Sequence, residues 1–219
     1  MRSFAVDYRN KVKRSPNRAV YDKELVYHII DKALICNVGF VHDGHPFVIP
    51  TIHVRSGESI YIHGSKKSRM INQICTGNSV CVTFTILDGL VLARSIFHHT
   101  MNYRSVIIYG KGKVVNEKDK VNILKLMSEK LIPGRWNEAR KPINNELRAT
   151  SIVSIKIESA SAKIRSGPPV DEKDDYSLET WAGVIPITQV YREQISDSKL
   201  SEHIRIPSCV EKLIANNKI

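Results

Sequence analysis

The chain has 219 residues, of which 42% are apolar and 25% are charged. This composition is typical of a globular protein, and a chain of this length can bury a core without disulfides or a structural metal. A wholly disordered chain and a coiled coil are excluded, and so is a membrane span, because no apolar run approaches about 20 residues. The start of the sequence lacks a hydrophobic signal core, so a cytoplasmic location is expected. The cysteines, none of which form a C-x-x-C pair, are expected to be reduced and buried: Cys36, Cys75, Cys81 and Cys209.

The net charge of +11 is unevenly distributed. Residues 1–18 hold six basic side chains and one acid, so this basic N-terminal arm carries +5 and the remaining chain carries +6. A basic protein attracts anions such as nucleic acids, acidic membranes or phosphorylated small molecules. The net charge alone does not choose among these partners.

The first half of the chain is typical of a helix followed by hairpins. Asp22 can cap a helix whose apolar residues recur at helical spacing, and Asp43-Gly44 is typical of a tight hairpin turn. The expected elements are a helix at 23–33, strands at 34–41, 46–54 and 59–63, and a short helix at 68–75.

The second half continues with strands. A further turn is expected at Asp88-Gly89, and Pro133-Gly134 ends a helix. The expected elements are strands at 79–87, 90–97, 103–115 and 152–157, with helices at 117–131 and 144–149. Regularity fades beyond Lys163, and the tail from Gln194 is expected to be polar and loose. Six or seven strands joined by hairpins predict an antiparallel barrel with added helices. No G-x-G-x-x-G or G-x-x-x-x-G-K-[ST] motif occurs.

The segment His63-Gly64-Ser65-Lys66-Lys67-Ser68-Arg69 is the first candidate site. It lies where a strand passes into a helix, where free backbone N–H groups favour an anion. Arg69 can bind a phosphate through two parallel hydrogen bonds. The alternative is a solvated turn in which Ser68 only caps the helix.

The segment from Arg94 to Ser105 is the second candidate. It is rich in hydrogen-bonding side chains yet lies between apolar strands, and a polar ligand could satisfy such groups. The alternative is a hydrated loop at the barrel end. His98 and His99 do not form a metal motif, because adjacent side chains on an extended chain point apart.

Trp181 follows a Pro-rich, acidic loop. Its indole could cover a planar ring, or it could anchor the C-terminal segment to the core.

A resemblance covers most of the chain. Residues 12 to about 185 resemble the pyridoxamine 5′-phosphate oxidase-related flavoproteins, and most closely their flavin-nucleotide-binding or 5-nitroimidazole-resistance-like branch. The matching stretches include Val12-Lys-Arg-Ser-Pro-Asn-Arg, Pro46-Phe-Val-Ile-Pro-Thr, Tyr61-Ile-His-Gly-Ser-Lys-Lys-Ser-Arg-Met, Leu87-Asp-Gly-Leu-Val-Leu-Ala-Arg-Ser, Phe97-His-His-Thr-Met-Asn-Tyr-Arg-Ser-Val and Ser161-Ala-Lys-Ile-Arg-Ser-Gly-Pro-Pro.

The resemblance implies a mainly β, six- to seven-stranded antiparallel split β-barrel, homodimeric, with FMN at the subunit interface. The isoalloxazine would lie against Val48, Ile49, Pro50 and Thr51. The phosphate would be held by His63, Gly64, Ser65, Ser68 and Arg69. Further donors would come from Asn102, Tyr103, Arg104 and Ser105, and a lid loop at 166–181, with Trp181, would cover the flavin. The implied organisation is an arm at 1–18, the FMN-binding domain at 19–191 and a tail at 192–219.

The implied activity is that of an FMN-dependent oxidoreductase. Small electrophilic substrates such as nitroaromatics or quinones are expected, with NADH or NADPH as electron donor and His98 or His99 as proton donor. Oxidation of pyridoxamine phosphate is not expected, because the basic C-terminal residues of those oxidases have no convincing counterpart beyond Arg165. The alternatives are a non-catalytic flavin-binding or flavin-sensing module and a split-barrel protein that binds haem. No nucleic-acid motif accompanies the basic arm, and neither nucleic acid nor a membrane is expected as a partner.

Overall fold

The computed structural model describes residues 2–216. Met1 and residues 217–219, at the ends of the expected arm and tail, lie outside the described residues. The strands are Ala19–Val20 (β1), Ile35–His42 (β2), His45–Ile52 (β3), Val54–Ser56 (β4), Ser59–Ser65 (β5), Ser79–Leu92 (β6), Thr100–Val114 (β7), Thr150–Lys156 (β8), Ser159–Arg165 (β9) and Gly183–Pro186 (β10). The helices are Lys23–Lys32 (α1), Arg69–Ile74 (α2), Lys120–Leu131 (α3), Arg135–Glu138 (α4), Asn144–Ala149 (α5) and Ser208–Asn216 (α6).

The strands form one antiparallel sheet in the order β3-β2-β6-β7-β8-β5-β4. The long strand β7 divides this sheet, because Tyr103–Tyr109 pairs with β9 and Gly112–Val114 pairs with β8. β1 adds to β9, and β10 adds to β6. The expected mainly β, antiparallel split-barrel fold with added helices is confirmed, although ten strands are present where six or seven were expected.

The expected turn at Asp88-Gly89 is wrong. β6 runs without interruption to Leu92, and a β-bulge between Leu87 and Gly89 shifts its register against β7. Gly89 lies opposite Pro186 of β10, and a Cβ there would be 2.9 Å from the carbonyl oxygen of Ile185. The glycine therefore permits a close backbone approach within a strand. Residues 93–97 are also not a strand, since a 3₁₀ turn occupies Ile96–His98.

The core fills the inside of the barrel. Alternate residues of each strand point inward, and α1 closes one side through Val26, Ile29 and Ile30. The Asp22 carboxylate accepts a hydrogen bond from the Leu25 N–H (2.9 Å), which fixes the start of this helix as expected. A second cluster lies beneath α3 and contains Val54, Ile123, Met127 and Ile152.

The C-terminal segment contains a helix that the sequence pattern did not predict. Cys209 of α6 is buried, and its thiol donates a hydrogen bond to the Glu138 carboxylate (3.0 Å). The end of the tail is thereby attached to the main body at α4. Within residues 2–216, no helix combines the length and the apolar character needed to cross a membrane.

Candidate functional site

The expected flavin-ring strand is an edge strand with an open outer face. Within the described residues, β3 pairs with β2 alone, and Val48 is 68% exposed. Phe47 and Ile49 alternate with it and pack against the core. Val48 and Pro50 therefore share the outer face, whereas Ile49 and Thr51 turn the other way. The four residues that were predicted to contact the flavin ring together therefore lie on two opposite faces of β3.

The expected phosphate segment joins β5 to α2. Ser68 caps α2, since its hydroxyl accepts from the Ile71 N–H (3.5 Å), and the Ser65 hydroxyl accepts from the Lys67 N–H (3.2 Å). A Cβ at Gly64 would lie 2.9 Å from Cγ1 of Ile71, so this glycine lets the strand end close against the helix.

Arg69 connects this segment to β3. Its guanidinium carbon lies 3.9 Å from the centroid of the Phe47 ring, which is a cation–π contact. In the described part of the chain, Arg69 forms no ion pair, so its charge remains available to an anion. This contact brings the phosphate segment to the core-facing side of β3, the side opposite Val48 and Pro50. Phe47 was missed as a site residue, because a contact across space leaves no local pattern in the sequence.

His63 carries an unsatisfied polar atom beside this segment. Its Nδ1 is buried and has no hydrogen-bond partner within the described residues. Burial also lowers the pKa of the imidazole, which favours its neutral form. An orphaned ring nitrogen beside the β5–α2 turn fits a polar ligand.

The hydrogen-bond donors predicted on β7 lie away from β3 within the same chain. β2 and β6 separate β7 from β3, a span of about 14 Å at the usual strand spacing. Asn102 is buried, accepts from Arg165 and donates to the Gly167 carbonyl (3.1 Å). Arg104 pairs with both oxygens of Asp88 (2.6 and 2.9 Å).

The other two β7 residues are also placed away from the phosphate segment. The Ser105 hydroxyl donates to the Lys163 carbonyl (3.3 Å). Tyr103 is partly buried and lies opposite Arg165 in the β7–β9 ladder. Within one chain, the Asn102–Ser105 segment and the β5–α2 segment therefore do not form one pocket.

His98 and His99 lie at the 3₁₀ turn between β6 and β7, and their rings contact different partners. His98 Nε2 is 3.7 Å from the Glu172 carboxylate, and His99 Nε2 is 3.1 Å from the Ala93 carbonyl oxygen. Between β6 and these histidines, Ile96 is 84% exposed and Phe97 is 89% exposed.

The lid loop at 166–181 is fixed to this turn by Asp171. Its fully buried carboxylate accepts from the Arg94 and Ser95 N–H groups (2.8 and 3.2 Å) and pairs with the Arg94 guanidinium (3.2 Å). Burial raises the pKa of Asp171, but these hydrogen bonds outweigh it and lower the pKa overall. The sequence pattern did not predict that Asp171 is buried, because acidic loops are usually solvated.

Trp181, at the end of the lid, does not anchor the segment to the core. It is 65% exposed, and its indole lies over the backbone of Gly183. The ring is therefore open on its outer side.

Comparison with known proteins shows the family. The family model described as pyridoxamine 5′-phosphate oxidase matches residues 22–164. The structure is similar to the flavocytochrome Anf3 from Azotobacter vinelandii, with 36% identity, 94% of this chain and 97% of that chain covered, and a TM-score of 0.89. It is also similar to the FAD and heme binding protein from Mycobacterium smegmatis, with 30% identity, coverage of 90% and 97%, and a TM-score of 0.86.

The chain therefore belongs to the pyridoxamine 5′-phosphate oxidase family. A protein from Bacteroides thetaiotaomicron that is described as a 5-nitroimidazole antibiotic resistance protein shares the fold. It has 20% identity, with 67% of this chain and 86% of that chain covered, and a TM-score of 0.57. No curated protein sequence matches the chain. The family resemblance inferred from the sequence motifs is confirmed.

Proposed function

We propose that this protein binds a flavin nucleotide and acts as a flavin-dependent oxidoreductase on small electrophilic substrates. The observation that carries the proposal is the position of Arg69. Its guanidinium lies against Phe47, on the core-facing side of the edge strand β3, and forms no ion pair in residues 2–216. A guanidinium that is free of carboxylates and backed by an aromatic ring suits the phosphate end of a flavin nucleotide.

The residues fit the FMN that the resemblance implies. Arg69 would bind the phosphate, with the hydroxyls of Ser65 and Ser68 as donors, since both now only accept hydrogen bonds from backbone N–H groups. Ile49 and Thr51, which share the side of β3 that carries Phe47, would lie nearest the flavin ring, and His63 Nδ1 would gain a partner. The M. smegmatis relative is described as binding FAD, so FMN and FAD are both candidate flavins for this chain.

A homodimer would complete the site. The Asn102–Ser105 segment lies two strands away from β3 in its own chain, so it could face the flavin only from a second protomer. The cross-strand neighbours Ile185, Leu90 and Met101 form an exposed apolar row on β10, β6 and β7, which we call the outer apolar row. Such a row is typical of a surface that is covered in the assembly.

A bound flavin supplies electron and hydride transfer, whereas the protein supplies orientation and electrostatics. NADH or NADPH is the proposed electron donor, and nitroaromatics or quinones are the proposed substrates. His98 is the proposed proton donor, and its Nε2 lies 3.7 Å from the Glu172 carboxylate. Its position at the exposed Phe97 turn would let it deliver that proton to a substrate at the surface.

Haem is the second candidate group. Two relatives that each cover at least 90% of this chain are described as a flavocytochrome and as an FAD and heme binding protein. An imidazole and apolar walls are what a haem requires, and the His98 ring lies 5.3 Å from that of the exposed Phe97. The ring nitrogens of His98 form no hydrogen bond with protein within the described residues, and Nε2 lies 3.7 Å from the Glu172 carboxylate.

The visible spectrum of the purified protein tests both groups. Absorption bands of oxidised flavin would support the first proposal, and a Soret band would add haem. Mass spectrometry of the released cofactor would distinguish FMN from FAD. A colourless protein that neither FMN nor FAD reconstitutes would overturn the proposed function.

A further inference from the structure

The basic N-terminal arm is held firmly against the barrel. Phe4 is buried in the core, and Asn10 is only 2% exposed. The amide of Asn10 donates to the carbonyls of Ala5 (2.8 Å) and Ala160 (3.2 Å), which ties the arm to β9. The Val12 N–H donates to the Tyr21 hydroxyl (3.1 Å). The basic side chains of the arm are therefore presented from a fixed backbone.

A cavity of about 250 Å³ lies between the arm and the sheet. We call it the arm pocket. Lys11, Lys13 and Arg14 line it from the arm, and Lys163 lines it from β9. Ser161, which is 5% exposed, also lines it and can donate its hydroxyl hydrogen to an anion.

The charges around the arm pocket are not neutralised by the protein. Both acids near the arm, Asp7 and Glu158, pair with Arg9 (3.2 and 3.9 Å). Lys11, Lys13, Arg14 and Lys163 form no ion pair in the part of the chain that the structure describes. Four cations at one concavity repel each other and attract an anion of several charges.

We propose that the arm pocket binds the phosphate or diphosphate group of a small ligand. Its volume is below that of the pockets that enclose a whole drug-sized molecule, so the phosphoryl part would enter and the remainder would lie outside. Four cations and one hydroxyl donor suit a diphosphate, which carries more charge than a carboxylate. A cavity closed on its sheet side favours a small anion over a nucleic-acid backbone. This site is separate from Arg69, although Ser105 of the proposed flavin site also lines it.

The test is calorimetric titration of the purified full chain with inorganic pyrophosphate at low ionic strength. Lys13→Ala and Lys163→Ala should each weaken binding by about tenfold or more, since each removes one charge-assisted contact. Lys111→Ala and Lys125→Ala, which remove exposed lysines outside the arm pocket, are the matched controls and should not change the affinity. Repetition in an Arg69→Ala background removes the other proposed phosphate site, and the same result is expected there.

Further titrations identify the source of the phosphoryl group. If Lys13→Ala lowers the affinity for FAD but not for FMN, the ligand is the ADP half of FAD. If the variant lowers the affinity for NADPH instead, the ligand is the electron donor. If it lowers the affinity for pyrophosphate alone, the ligand is a free phosphorylated metabolite. The proposal is overturned if pyrophosphate does not bind, if both lysine variants bind it normally, or if only single-stranded RNA binds, with a steep dependence on salt.

Discussion

Arg69 is the residue on which the flavin proposal can be tested most directly. Its guanidinium is free of carboxylates within the described chain and rests on Phe47. Removing a charge-assisted hydrogen bond costs about 1.5–3 kcal/mol, and 1.4 kcal/mol is a factor of ten in affinity. Arg69→Ala should therefore weaken FMN binding by roughly ten- to a hundredfold. Riboflavin, which lacks the phosphate, should bind the variant and the parent equally.

Fluorescence quenching titrations of the flavin-free protein measure both affinities. Arg69→Lys should recover only part of the loss, because an ammonium keeps the charge but not the two-pronged geometry. Arg205→Ala, in the exposed tail, serves as the control. An equal loss of affinity for FMN and riboflavin would show that Arg69 supports the ring or the fold.

Lys130 and His53 form a buried pair that should make stability depend on pH. Lys130 Nζ lies 2.8 Å from His53 Nε2 and donates to the Ala33 carbonyl (2.9 Å). Burial lowers the pKa of Lys130 to about 8, and burial together with Lys130 lowers the pKa of His53 to about 4. Each unfolded side chain binds its proton more tightly than the folded one, so stability rises with pH between each folded pKa and its unfolded value.

The expected windows are therefore about pH 4 to 6.5 for His53 and about pH 8 to 10.5 for Lys130. Urea unfolding across this range measures the slopes. Lys130→Met should flatten the alkaline slope and narrow the acid window from its lower end without abolishing it, because burial still lowers the pKa of His53 in the absence of the lysine charge. An unchanged alkaline slope in this variant would place the pKa of Lys130 near its ordinary value.

At the scale of elements, the lid and the β6–β7 turn form one unit through Asp171. Asp171→Ala should leave the Arg94 and Ser95 N–H groups without their acceptor and release the lid. Hydrogen exchange should then accelerate in residues 94–95 and 166–178, while the barrel strands keep their protection. Asp174→Ala removes an exposed acid from the same loop and should have no effect. Equal protection in Asp171→Ala and the parent would mean that other contacts hold the lid.

The sequence predicted those elements whose signal is local. Helices α1, α2, α3 and α5 have caps or apolar periodicity, and the β2–β3 turn has its Asp-Gly pair. β9 was missed because Ser159–Arg165 is built from small residues, which let the arm and β7 pack closely but give no strand pattern. The sequence pattern did not predict that β6 is continuous. Gly89 allows the close approach of β10, a strand almost a hundred residues further along the chain, so no local signal distinguishes it from a turn glycine.

The candidate site also has parts that local sequence predicts and parts that depend on tertiary packing. The β5–α2 turn could be identified from its own residues, and so could the open strand β3. The contact between Arg69 and Phe47, the buried Asp171 and the separation of Asn102–Ser105 from β3 all depend on tertiary packing. Only a structure supplies such relations between distant segments.

At the scale of the whole molecule, we expect a homodimer that covers the outer apolar row. Sedimentation velocity should give twice the mass of the chain, and an obligate interface of this kind buries more than about 2,000 Å². Leu90→Asp, placed between Ile185 and Met101, should shift the protein toward monomer and reduce flavin affinity in parallel. Ser79→Asp, an exposed position at the start of the same strand, is the control. A monomeric parent that retains its flavin would contradict the two-chain site.

The long pairing of β6 with β7 has a kinetic consequence. Their ladder runs from Ser79↔Lys111 to Val91↔Thr100 across one short connection, whereas Ser65 of β5 meets Thr150 of β8 only after four intervening α-helices. Closing a longer loop costs more entropy, so the hairpin should form early in folding and the β5–β8 ladder late. Ile108→Val in β7 should therefore slow refolding, with a φ-value well above that of Ile62→Val in β5, since both side chains are fully buried. Stopped-flow refolding and unfolding in urea measure both φ-values, and a higher φ-value at Ile62 would reverse this order.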